Sequence, residues 1–198
     1  MAYPAVDGPY GLVPVGLIGG QVYAGAIRQI PIASAYATSI FNGDVVKLVA
    51  DGTLEKDTGT TAATPVGVFL GCSYTDTDIG FIQRNYFPAD TVASDIVAYV
   101  CDDPDAVFKV AVVSGTTVIA GVGRTAVGAN ASIVQNAGIS TNGKSQIALL
   151  STSLATTATL PLRVIDVVKE TADSSGNYTE LLVKWNAGHQ YANTTGLA

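Results

Sequence analysis

Apolar and polar residues alternate with a period of two in several short stretches of the chain, and charged helical faces are almost absent. The clearest stretch is 178–185, where Leu181, Val183 and Trp185 share one face and Glu180 and Lys184 the other, with Leu182 the one apolar exception. That period marks a half-buried antiparallel strand. Residues 160–169 are its expected partner, and Thr171-Ala172-Asp173-Ser174-Ser175-Gly176-Asn177 the turn between them. A strand over 45–49 would turn Lys47 to water and Val46 and Leu48 inward, closing at Asp51-Gly52. Residues 65–71 form another, with Gly67 inside it as the sign of a bulge or a close backbone approach. A hairpin is expected from 96–101 and 107–113 around the turn Asp102-Asp103-Pro104-Asp105. Residues 56–64 read as a loop, 73–94 as an irregular aromatic excursion, 126–134 as a short helix, Asn142-Gly143 as a turn and 145–150 as a strand. The sum is an all-β fold, an antiparallel β-barrel or sandwich of one or two lobes spanning 32–186. A second lobe would begin after about residue 115, and 187–198 form a polar tail.

Residues 1–31 break this rhythm. Pro4, Pro9, Pro14 and Pro31 interleave with Gly8, Gly11, Gly16, Gly19 and Gly20, which removes amide donors and weakens regular structure. The stretch is nevertheless apolar, with Tyr3, Val6, Tyr10, Leu12, Val13, Val15, Leu17 and Ile18, unlike a disordered tail. It reads as an extended N-terminal arm lying in a groove, either on its own domain or on a neighbour. Tyr3, Tyr10, Leu12 and Ile18 are its expected anchors. Tyr74, Phe81, Tyr86 and Phe87 are the expected contact residues of the aromatic excursion.

Charge sharpens this picture. Only 13% of residues are charged and 48% are hydrophobic, against roughly 25% charged in an average soluble protein. No run of about 18 apolar residues offers a membrane span, and no basic residue precedes an apolar stretch at the N-terminus as in a secretory signal. A chain with so little charge is expected to have part of its surface covered by other subunits. The net charge of −6 argues against a nucleic-acid partner, because phosphate contacts need a basic face. Cys72 and Cys101 form no CxxC pair and read as buried thiols, a disulfide between them being the alternative.

Candidate chemistry is sparse. Gly138-Ile139-Ser140-Thr141-Asn142-Gly143-Lys144-Ser145 matches G-x-x-x-x-G-K-S, the loop that cradles phosphates between a parallel strand and a helix. Too little chain follows it for the several βα units of ~30 residues that such a sheet requires. An Asn-Gly turn followed by an exposed Lys144 is the simpler reading. The sole histidine, His189, lies in a polar stretch and reads as a surface residue. No G-x-S-x-G elbow is present, and three Cys and His in all fall short of the about four ligands of a structural zinc site. Asp102, Asp103 and Asp105, and Asp76 with Asp78, offer hard oxygens but no EF-hand spacing. Glu55, Glu170 and Glu180 are not paired by anything in the sequence as a glycosidase would need. No catalytic residue, cofactor or metal is therefore expected.

Three segments carry a resemblance. Gly43-Asp44-Val45-Val46-Lys47-Leu48, Asp51-Gly52-Thr53-Leu54 and Pro65-Val66-Gly67-Val68-Phe69-Leu70-Gly71 resemble the small β domain of lambda-type head decoration (cement) proteins of tailed phages. There a G-D-x-V strand and a P-V-G-V strand flank a variable loop. The opening from Tyr3-Pro4 through Gly19-Gly20, and the ending Lys184-Trp185-Asn186-Ala187-Gly188-His189-Gln190-Tyr191, are similar to structural proteins of marine and cyanobacterial tailed phages. The chain is longer than a simple decoration protein. The resemblance implies a non-enzymatic virion protein, made in the host cytoplasm, that sits on the outer capsid surface and binds the major capsid protein. It further implies a homotrimer, a dimer remaining open. Another virion component (tail, fibre or minor capsid protein) and a carbohydrate-binding module, suggested by nine Tyr and one Trp, are the competing expectations.

Overall fold

The computed structural model describes residues 6–192 and residue 196. Among them lie fifteen strands and three single-turn 3-10 segments, Arg124–Ala126, Ser151–Ser153 and Lys169–Thr171. The strands are β1 (Val13–Leu17), β2 (Arg28–Pro31), β3 (Ile40–Phe41), β4 (Val45–Leu48), β5 (Leu54–Lys56), β6 (Gly67–Asp76), β7 (Gly80–Arg84) and β8 (Tyr86–Phe87), then β9 (Val97–Cys101), β10 (Ala106–Val113), β11 (Asn130–Ala131), β12 (Ile133–Val134), β13 (Ala148–Leu150), β14 (Leu162–Val167) and β15 (Glu180–Trp185). The all-β expectation holds. One sheet runs β11-β14-β15-β10-β13-β12 with β1 added to β10, and a second runs β2-β9-β6-β4-β5 with β7 added to β6. The short β3–β8 pair stands apart. All pairings are antiparallel except β10 with β13.

Two apolar cores explain the sequence pattern. The seven-stranded sheet turns Phe108, Val110, Leu162, Val164, Leu181, Val183 and Trp185 into the first core, which also takes Val45, Val68 and Cys101 from the six-stranded sheet. The adjacent residues Val46, Phe69 and Val100 fall in the second core, with Ile30, Ile40, Tyr74 and Phe87. The middle of the six-stranded sheet is thus buried on both faces. A strand so placed reads as a continuous apolar run rather than an alternation, which is why Val45-Val46 and Val66-Gly67-Val68-Phe69 occur as blocks. The β14–β15 hairpin, with core on one face, keeps its alternation, in the register Leu162↔Trp185 and Val164↔Val183.

Several local expectations need correction. β9 and β10 exist but do not form a hairpin: β9 pairs with β2 and β6, and β10 with β1, β15 and β13. Asp103 Oδ1 accepts the Asp105 N–H at 2.8 Å in the turn between them, and this turn carries the chain from one sheet to the other. The change of sheet falls at residues 102–105. Residues 73–87 are mostly strand: β6 continues through Asp76 and, after a turn at 77–79, returns as β7 in the register Tyr74↔Ile82. The helix expected over 126–134 is replaced by a 3-10 turn ending at Ala126 and the two short strands β11 and β12.

The expected arm is largely built into its own domain. β1 adds to β10 in the register Val13↔Lys109 and Leu17↔Ala106, and β2 adds to β9. Both strands lie at sheet edges, and β1 carries a register shift between Pro14 and Gly16, which are the positions where a proline's missing donor is tolerated. Gly11, with φ of +85°, passes so close to Gly43 and Ser145 that an added Cβ would lie 2.7 Å from the Gly43 oxygen.

Candidate interaction surface

The predicted contact residues separate into inner and outer groups. Tyr3 lies outside the described residues. Tyr10 is half-buried, and its hydroxyl donates to the Glu180 carboxylate. Lys109 Nζ lies 3.4 Å from Glu180 Oε1 and 5.5 Å from the centre of the Tyr10 ring. Burial first, and the Glu180 carboxylate second, push the Tyr10 hydroxyl far above its ordinary range. Leu12 is in the first core with 1% of its surface exposed. Both side chains are thus spent on the molecule itself. Tyr74 and Phe87 are second-core residues, and Tyr86 is half-buried, stacked on Phe41 with ring centres 5.5 Å apart. Ile18, 42% exposed, and Phe81, 71% exposed, are the two described candidates with substantial free surface.

Around Ile18 the surface is apolar and nearly free of charge. From Gly8 through Ile27 there is no charged residue, and most of 18–29 is exposed. Val22 is 80% exposed, with Val15 and Ile27 also projecting. An open groove of about 410 Å³ runs between this segment and the seven-stranded sheet, lined chiefly by Val15, Ile18, Val22, Val107, Ile165 and Leu182, with Asp166 the one charged residue on its wall. The nearby charges are paired: Lys109 with Glu180, Lys184 with Asp105 at 3.5 Å, and Arg124 with Asp166 at 3.0 Å. Such a surface offers dispersion and desolvation rather than directed charge. A second apolar projection is the β6–β7 turn. Asp76 Oδ1 accepts the Asp78 and Ile79 N–H groups there, and Ile79 and Phe81 stand out into solvent.

The loop that matches a phosphate cradle is a tight turn. Ile139 and Lys144 form a bridge across it, Gly143 takes φ of +69°, and Lys144 is exposed. No helix follows, and Ser145 is buried and committed elsewhere. Its Oγ donates to Asp44 Oδ1 at 2.6 Å and accepts the Ile147 N–H. Asp44 Oδ2 in turn accepts the Phe41 N–H at 2.9 Å and the Lys56 ammonium at 2.8 Å, with both side chains of the ion pair largely buried. This network of Asp44, Lys56 and Ser145 ties β4 and β5 to the 139–147 segment, and sequence reasoning missed it. Glu180 lies, as expected, on the strand face opposite Leu181, Val183 and Trp185. It is 6% exposed, roofed by Tyr10 from far along the chain.

Cys72 and Cys101 are both buried and free. Burial pushes the Cys72 thiol up to about 12, so it holds almost no thiolate at neutral pH. His189, expected at the surface, is 3% exposed. The polar tail is accordingly docked as far as Tyr191, whose ring meets the Arg28 guanidinium. Among the described residues no three His, Cys, Asp or Glu side chains gather in a group that could hold a metal ion. No helix there is long and apolar enough to cross a membrane.

Fold and surface together define a β protein of two main sheets that exposes an apolar, charge-poor segment at residues 18–27. Comparison with known proteins gave no match to a protein family, to a curated protein or to a solved structure.

Proposed function

We propose that this protein is a structural virion component, a head decoration protein that binds the outer surface of a tailed-phage capsid and stabilises the shell by bridging major capsid protein subunits. The observation that carries the reading is the uncharged, exposed segment 18–27 beside its apolar groove. A chain of net charge −6 that leaves such a face bare gains by covering it. The second support is the resemblance of the Gly43–Leu48 and Pro65–Gly71 blocks to cement proteins. Covering a side chain such as Val22 or Phe81 contributes about 1.5–3 kcal/mol. Repeated over every copy on a shell, modest contacts add to a large total. Self-association as a trimer would multiply the bridged seams.

Val22→Asp tests the reading. It places a charge on the exposed tip without touching either core, so the fold should survive. Shell binding, followed by co-sedimentation with expanded capsids, should weaken by about tenfold or more, which corresponds to at least about 1.4 kcal/mol. Unchanged binding by a folded Val22→Asp protein removes segment 18–27 from the contact.

A further inference from the structure

Residues 186–192 cross the seam between the two sheets. The segment leaves β15 at Trp185, and Asn186 Nδ2 donates to the Ala158 and Leu160 carbonyls at 2.9 and 2.8 Å. Gly188, with φ of +79°, lies so close to the 59–65 loop that an added Cβ would sit 2.1 Å from the Ala63 oxygen. Gln190 then stands in for a missing strand. Its Oε1 accepts the Leu48 N–H at 2.7 Å, its Nε2 donates to the Leu48 carbonyl at 3.0 Å, and its own N–H donates to Pro65 at 2.8 Å. Tyr191 packs beneath the Arg28 guanidinium of β2, 5.3 Å from the ring centre. In the middle is His189, between Trp185 at 6.1 Å and Tyr191 at 5.9 Å. We propose that this segment is an acid-released strap, closed over the seam while His189 is neutral and opened when the imidazole takes a proton.

Burial is the largest influence on His189 and holds its pKa below the ordinary histidine value, while the Val66 carbonyl and the carboxylates of Asp102 and Asp103 act in the opposite sense. Arg28 is engaged by Asp102, and Lys184 of β15 is turned to Asp105. The 59–65 loop contains no charged residue. The Tyr191 hydroxyl is pushed upward by burial and stays protonated. In the open strap His189 is in water, with an ordinary pKa of about 6.5. A group whose pKa is depressed in the closed state binds protons more readily in the open one. The closed state therefore keeps its full advantage above about pH 6.5 and loses it progressively as the pH falls below that value. Opening bares Trp185 and the free Leu48 edge of β4.

The chain has one histidine and one tryptophan, so a single experiment reads both. Between about pH 7.5 and 5.5 histidine is the one side chain with an ordinary pKa in range. Acrylamide quenching of Trp185 and amide exchange at Gln190 are measured on the whole protein across that range, with far-UV circular dichroism alongside. Trp185 becomes more quenchable, and exchange protection of the Gln190 N–H falls several-fold, by at most about tenfold at pH 5.5 for an open-state pKa of about 6.5, while dichroism and the β10 amides stay constant. His189→Gln abolishes the transition. Unchanged protection at Gln190 in the wild type overturns the proposal even where the emission of Trp185 changes. So does the same transition in His189→Gln, or its coincidence with global loss of β structure.

Discussion

Asp44→Ala is expected to destabilise the protein by about 3–5 kcal/mol, the usual consequence of removing one partner from a buried ion pair. The substitution strands three donors at once: the Lys56 ammonium, the Ser145 hydroxyl and the Phe41 N–H, all within 2.9 Å of the carboxylate. For a chain of this size the midpoint of thermal unfolding should fall on the order of 10 °C. The effect is not one of cavity volume, because an alanine leaves only a small void. Its signature is coupling. Lys56→Met alone should also be costly, and the double variant should be less damaged than the two single losses added together. Additive losses from Asp44→Ala and Lys56→Met would show that the pair does not act as a unit. Calorimetry or chemical denaturation of the four proteins measures this.

Gly67→Ala is the second large effect, at about 3 kcal/mol or more, which is the upper part of the usual overpacking range. An added Cβ would lie 2.2 Å from the Cys101 oxygen and 2.9 Å from both the Cys101 carbonyl carbon and Asp102 Cα. All three are backbone atoms, so no rotamer change relieves the clash. The site is also where β6 passes the end of β9 at the crossing between sheets, and the strain falls on the Val68↔Cys101 pairing. Gly115→Ala is the control: nothing lies within 4 Å of its added Cβ, and it should be close to neutral. A denaturation midpoint for Gly67→Ala equal to that of Gly115→Ala would mean the approach of the two strands is looser than described.

These two residues show what was legible in the sequence and what was not. Gly67 inside an apolar run suggests a bulge or a close backbone approach, and the structure shows the approach, to Cys101 of β9. The β14–β15 hairpin was readable because its alternation, its turn and its partner all lie within about 25 residues of each other. The β9–β10 pair was misread for the same reason. A local turn between two apolar strands suggests a hairpin, yet both strands find longer-range partners, and strand period alone carries no information on partners. The Val45-Val46 doublet hid its two-sided burial, since a continuous apolar run fits several environments.

The polar network was the least visible part. Asp44 sat within the quoted Gly43-Asp44 block, but Lys56 and Ser145 arrive from other segments. Glu180 alternates with core residues, a pattern that gives its face but not what covers that face. It does face away from the core, and Tyr10 and Lys109 cover that face. The apolar N-terminal stretch was recognised as a segment seeking a groove, and between Tyr10 and Leu17 the groove is on its own sheet. The part left exposed, from Ile18 to Ile27, is where the proposed shell contact concentrates.

Thermal stability of expanded capsid shells, measured with and without saturating purified protein, tests the proposed role most directly. Bound protein should raise the temperature at which shells rupture by several degrees, by the mass-action stabilisation of any ligand that prefers the intact state. The Val22→Asp protein should give little or none of that gain. Shells that rupture at the same temperature with and without the wild-type protein, though it is folded and in excess, contradict the cement role.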